Sequence, residues 1–122
     1  FNLDWLTGFP VDRLEPCDVQ ATLSQLSTDS IAASIGRSAP DTSEVLVCGG
    51  GVHNSDLMAR LERALPGVAI RTTKVAGLDP DWVESAAFAW LAMRTCDGLP
   101  GNLPAVTGAT GPAVLGSVHP PS

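Results

Sequence analysis

Glu44-Val45-Leu46-Val47-Cys48-Gly49-Gly50-Gly51-Val52-His53-Asn54 is the stretch on which the fold turns. Its first five residues form a short, mostly apolar run of the kind found in a buried parallel strand. Three glycines follow, where a chain without Cβ atoms turns sharply and a ligand can approach the backbone. Asn54 is then a good N-cap, and Asp56 suits the positive end of a helix. Leu57, Met58, Leu61 and Leu65 recur at helical spacing as its buried stripe. Pro66-Gly67 ends that helix, and Val68-Ala69-Ile70-Arg71-Thr72 follows as a second strand. Strand, glycine loop, helix, strand is a βαβ unit, with parallel strands and a right-handed crossover.

Upstream, residues 18–35 favour helix, with Val19, Leu23 and Leu26 on one face and Ile31 and Ile35 continuing the stripe. Gly36 fits a C′ position, and Ser38-Ala39-Pro40-Asp41-Thr42-Ser43 reads as a loop. At the start, Phe1, Trp5 and Leu6 share a helical face that stops at Thr7-Gly8-Phe9-Pro10. Downstream, Asp79 as N-cap and Pro80 at the first helical position predict a helix to about Arg94 or Thr95. Val83, Ala86, Ala87, Trp90 and Leu91, widened by Phe88 and Met93, make that helix apolar most of the way round, which predicts burial on more than one face. The chain then turns rich in glycine and proline from Gly98 to Pro112, a composition odd for a compact domain unless it works or packs on a partner lobe. The tail ending His119-Pro120-Pro121-Ser122 reads as frayed.

A chain of 122 residues is one domain's worth, and its 44% apolar and 16% charged composition is that of a globular protein. Seven Lys and Arg against thirteen Asp and Glu leave a net charge of −6 without a basic cluster, which argues against nucleic acid as a partner. No apolar run approaches the ~20 residues of a membrane helix, and the start does not look like a signal peptide. The opening Phe1-Asn2-Leu3-Asp4-Trp5 lacks a methionine and already sits inside an amphipathic pattern, as expected of a piece of a longer protein. Cys17, Cys48 and Cys96 have no metal-ligand spacing and read as reduced, buried, small hydrophobes, which with no export signal points to the cytosol.

The glycine loop is the strongest chemical signal. Unpaired N–H groups at a helix start favour an anionic or polar ligand, whereas on the plainer reading the glycines only permit a tight turn. The third glycine of a dinucleotide fingerprint fails at Asn54, and no Gly-Lys-Ser/Thr of a Walker motif occurs. His53 is a ligand or proton shuttle, or simply a surface residue at a helix start; His119 has no partner at metal-like spacing. Glu84 is the acid to watch, in the first turns of an apolar helix, although an exposed acid there also complements the helix dipole. Asp79 and Asp81 read as capping and dipole residues, and no G-x-S-x-G nucleophile signature is present.

Five stretches occurring in order carry a family resemblance. They are residues 1–6, 18–23, the loop from Val47 to Asn54, the helix from Glu84 to Ala92, and the stretch from Gly98 to Ala109. Together they resemble the C-terminal third of anhydro-N-acetylmuramic acid kinases. The resemblance implies an α/β fold: a partial second lobe of the ribonuclease-H-like ATPase fold of actin, hexokinase and Hsp70-type chaperones, with a small parallel sheet flanked by three main helices. It implies a cytoplasmic bacterial enzyme of cell-wall recycling. That enzyme uses ATP and Mg²⁺ to phosphorylate 1,6-anhydro-N-acetylmuramic acid at O6 while water opens the anhydro bridge, and it is commonly a dimer. By the same resemblance Gly49, Gly50, Gly51, His53 and Asn54 lie against the adenosine of ATP, and Glu84 faces the sugar. The phosphate-binding loop and the catalytic aspartate belong to an N-terminal lobe that this chain lacks. The expectation is therefore one lobe fragment over residues 1–122, inactive alone, with apolar surfaces shaped for the missing lobe. Rival readings are a stand-alone Rossmann-like nucleotide-binding or regulatory module, and a redox or metal protein built on the cysteines.

Overall fold

Each apolar run described above finds its element, and the computed structural model describes residues 3–119. The described chain forms two compact units, one up to Pro80 and one from Asp81 onward.

The first unit opens with a single helical turn, α1 (Leu3–Leu6), where the Thr7 hydroxyl donates to the Asp4 carbonyl at 2.7 Å and the Trp5 and Phe9 ring centroids lie 4.9 Å apart. Phe1, expected on the same face, lies outside the described residues. The long helix α2 (Pro16–Ser38) begins at a proline, which suits the first helical turn because its missing N–H has no partner there. It does not stop at Gly36. Gly36 sits inside the helix with an ordinary φ, and the break comes at Ala39, whose φ of −147° and ψ of 63° are set by the Pro40 ring behind it. Proline, not glycine, is the stop signal here.

Strands β1 (Glu44–Val47) and β2 (Ala69–Thr72) pair in parallel, with Glu44 opposite Ala69 and Val47 opposite Thr72. Between them runs α3 (Ser55–Ala64), so the expected strand-helix-strand unit is present. α3 packs on α2 and on β2, and its Leu61, 3% exposed, with Leu65 at its C-cap, forms the buried core of the unit. Across that helix pair Thr28 of α2 is fully buried, its hydroxyl satisfied by donating to the Ser24 carbonyl at 2.9 Å. Arg60 of α3 ties the two helices, donating to the Gln25 amide oxygen at 2.6 Å and to Asp56 at 2.7 Å.

The second unit holds α4 (Val83–Cys96). Its start differs from expectation: residues 80–82 form a 3-10 turn, and Trp82, not Asp79, takes the N-cap position. The Pro80 carbonyl also accepts a tertiary bond at this point, from the Gly49 N–H at 2.9 Å. At the other end Gly98, with φ of +64°, closes the helix: Leu99 N–H donates to the Arg94 carbonyl at 2.8 Å and Gly98 N–H to Thr95 at 3.1 Å. This pair of bonds is a Schellman cap.

The burial expected for α4 is overturned. Phe88 is 73% exposed, and Trp90 and Met93 are exposed as well. An all-round apolar pattern states that a helix wants cover. Within this unit only the irregular segment after Cys96 can lie against it, forming a groove of about 550 Å³ lined by Phe88, Leu91, Thr95 and Leu115 among others. The cysteines are free, as expected, but all three are exposed. They sit at element ends, Cys17 in the first turn of α2, Cys48 just past β1 and Cys96 at the last residue of α4, where no side-chain layer closes over them.

The glycine- and proline-rich stretch is ordered by polar bonds. The Asn102 side chain donates to the Gly111 carbonyl at 3.0 Å and accepts from the Ala113 N–H at 2.7 Å, while the Gly101 N–H meets the Ala113 carbonyl at 3.0 Å. Inside this closed loop sits a one-turn helix unseen in the sequence, α5 (Pro104–Thr107), started by proline and stopped by Gly108 at φ +72°.

Candidate functional site

The site is built where β1 ends. Val47 lies opposite Thr72, so the carboxyl ends of both strands fall on one side of the sheet, and the chain leaves β1 through Cys48 into the glycines. Gly49 adopts φ +73° and ψ −175°, a conformation that only glycine occupies comfortably. Its N–H is held by the Pro80 carbonyl at 2.9 Å, and its own carbonyl accepts the Val52 N–H at 3.2 Å. The chain does not pass straight into the helix. Residues Gly50–His53 first make a 3-10 turn, closed by Asn54 N–H donating to the Gly51 carbonyl at 3.1 Å. Asn54 then caps α3 as expected, its side-chain oxygen accepting the Leu57 N–H at 3.1 Å.

The three glycines therefore have different reasons to be glycine. At Gly49 the backbone demands it. At Gly51 a Cβ would sit 3.5 Å from Leu57 Cδ2, ordinary packing distance. At Gly50 a Cβ would meet nothing within 4 Å, and the φ is ordinary. Gly50 is thus the open point of the turn, where a ligand can reach main-chain groups without a side chain in the way.

One turn of chain holds Gly49, Gly50, Gly51, His53 and Asn54 together. His53 is exposed, and Asn54 is engaged in capping the helix. Glu84 belongs to the second unit, exposed in the first turn of α4, where it complements the helix dipole. Sequence reasoning missed two participants. The Pro80 carbonyl anchors the turn from far along the chain. Thr73, the residue after β2 and hence at the same end of the sheet, has a buried hydroxyl with no hydrogen-bond partner. Neither leaves a local signature, because a carbonyl belongs to every residue and threonine is common at strand ends.

A strand-turn-helix-strand unit with an open glycine turn at the carboxyl ends of parallel strands defines an α/β protein, and in open α/β sheets that edge is where ligands are taken. The sequence profile of the anhydro-N-acetylmuramic acid kinase family matches residues 1–121, and the chain belongs to that family. It is 48% identical to the anhydro-N-acetylmuramic acid kinase of Xylella fastidiosa, over 98% of this chain and 32% of that protein. It is 52% identical to the kinase of the same name from Pseudomonas paraeruginosa, over 98% of this chain and 33% of that protein. The kinase of Xanthomonas oryzae pv. oryzae is 50% identical over a similar span. The chain spans about a third of the length of these relatives.

Proposed function

We propose that this chain is part of the second lobe of an ATP-dependent sugar kinase with the ribonuclease-H-like ATPase fold. The intact enzyme transfers the γ-phosphoryl group of ATP to O6 of 1,6-anhydro-N-acetylmuramic acid. A water molecule adds across the anhydro bridge in the same turnover, giving N-acetylmuramic acid 6-phosphate and ADP, and the work belongs to cell-wall recycling in the bacterial cytoplasm. What supports the reading above all is the family match over residues 1–121, with relatives that carry this kinase name. No helix among the described residues is long and apolar enough to cross a membrane.

In this reading the adenosine of ATP lies over the glycine turn. Gly50 admits it, Gly49 fixes the bend through Pro80, and Asn54 holds the helix behind. His53 borders the nucleotide, and Glu84 faces the sugar. Among the described residues no group of three His, Cys, Asp or Glu side chains stands together to hold a metal. In the intact enzyme Mg²⁺ would accompany the ATP phosphates and supply charge stabilisation there.

Phosphoryl transfer is mostly positioning and charge stabilisation across a cleft, and one wall does not supply it. The phosphate-binding loop and the general base for water belong to the missing lobe, which is this chain's first partner. The test measures ADP release with ATP, Mg²⁺ and the anhydro sugar, for the 122-residue chain and for a polypeptide of the relatives' length that carries it. Turnover by the longer protein alone is expected. Turnover by the short chain would refute its incompleteness, and a longer protein silent towards the anhydro sugar would refute the kinase reading.

A further inference from the structure

The second unit poses a problem of stability that its own residues do not solve. Among the described residues the buried large hydrophobics are Leu61 and Leu65, both in the first unit. A piece of roughly 40 residues needs a disulfide, a metal or a partner to stay folded, and Cys96 is free. Yet the stretch after α4 is ordered. Asn102 closes residues 102–113 on two sides, α5 is started by Pro104 and stopped by Gly108, and the Thr107 hydroxyl donates back to the Leu103 carbonyl at 3.1 Å. This is an Ω-loop, a compact loop whose ends are tied together. The half-buried Asn102 turns its side chain to the loop's own backbone, while Leu103 is 69% and Val106 81% exposed. A loop held in shape with its apolar side chains outward is built to be covered.

Two observations narrow the cover. After Asp97 the sequence carries no Asp, Glu, Lys or Arg, although the whole chain has a net charge of −6. The matching surface is accordingly uncharged and apolar, since a charged one would lose its water without gaining an ionic partner. The second observation is length: the relatives carry about two thirds of a polypeptide beyond the part that this chain matches.

We propose that the Asn102-clamped loop, through Leu103 and Val106, is the docking element by which this stretch packs against the remaining two thirds of the polypeptide. The proposal rests on the lobe-fragment reading above but does not depend on the chemistry of the sugar.

Amide hydrogen exchange tests it on two proteins, the 122-residue chain and the longer polypeptide that carries it. Exchange at Leu103, Val106 and Thr107 is expected to slow by about tenfold or more in the longer protein. Val106→Asp should move the melting temperature of the short chain by no more than about 2 °C, because surface substitutions cost little. In the longer protein it should remove the protection and lower the melting temperature by roughly 5 °C or more, with Val106→Ile restoring both. Equal exchange in the two proteins overturns the proposal, with or without kinase activity. So does protection that appears in the short chain as its concentration rises, which would make the cover a second copy. Protection without phosphorylation of the anhydro sugar would sink the kinase reading and leave the docking intact.

Discussion

Replacing Gly49 by alanine isolates the conformational demand of the glycine turn from any demand of a ligand. At φ +73° and ψ −175° a Cβ is strained whatever space surrounds it, at a cost of about 1–3 kcal/mol. The chain can relax only by turning the peptide, which draws the Gly49 N–H away from the Pro80 carbonyl at 2.9 Å and forfeits a bond worth about 0.5–1.5 kcal/mol. Either route leaves a loss on the order of 1–3 kcal/mol, a fall of roughly 5–15 °C in melting temperature for a chain of this size. Gly50→Ala and Gly51→Ala are the internal controls. Both positions have ordinary φ, a Cβ at Gly50 meets nothing within 4 Å, and one at Gly51 sits 3.5 Å from Leu57 Cδ2. Their effect should lie between neutral and a gain of up to about 1 kcal/mol, from the reduced freedom of the unfolded chain. Urea unfolding followed by far-ultraviolet circular dichroism measures all three. If Gly49→Ala unfolds within experimental error of the unaltered chain, or Gly50→Ala loses as much as Gly49→Ala, the division of labour argued for the turn is wrong.

Asn102→Ala removes a donor to Gly111 and an acceptor for Ala113 at once and should cost about 1–3 kcal/mol, read from the thermal melting of the longer polypeptide that carries this chain. Asn54→Ala strips the N-cap of α3 and should cost about 1 kcal/mol in urea unfolding, whereas Asn54→Asp keeps an acceptor for the Leu57 N–H and should nearly match the unaltered chain. All three cysteines should titrate with a thiol reagent in the folded chain without denaturant; a thiol that reacts only after unfolding would contradict the exposure found for it.

What the sequence made legible was local. The run from Glu44 to Thr72 announced strand, turn, capped helix and strand, because a short apolar run, glycine and an Asn cap are short-range signals, and the structure differs there by a residue at the strand ends. Most of what escaped was set by distant contacts. The bond between Gly49 and Pro80, beside the 3-10 start before α4, joins residues far apart in the chain. The two-sided grip of Asn102 on Gly111 and Ala113 turns an apparent linker into a closed loop, and no periodicity marks it. The end of α2 was a ranking error of another kind: Gly36 and Pro40 both signal a stop, and the proline wins because its ring forbids helix to the residue before it, whereas glycine is merely costly within one. The candidate site shares the division. Its five turn residues were readable as a group, while the Thr73 hydroxyl and the Pro80 carbonyl were not.

The misplaced burial of α4 and of the cysteines has a common physical origin, which bears on the function. Hydrophobic patterning records the surroundings in which a sequence is stable, and those need not be supplied by the residues at hand. In the first unit pattern and burial agree at Leu61 and Leu65, while Leu26 and Ile31 of the α2 stripe and Leu46 of β1 are exposed against it. In the second they part, with Phe88, Leu103 and Val106 outward. The exposure is deepest in the second unit, where Phe88 is 73% and Val106 81% exposed, against 40% or less at Leu26, Ile31 and Leu46. A chain that matches a third of its relatives' length should show uncovered apolar faces of this kind if their cover lies in the rest of the polypeptide. On the docking proposed above, the uncharged, clamped loop of the second unit would meet a surface that is itself apolar and without ions.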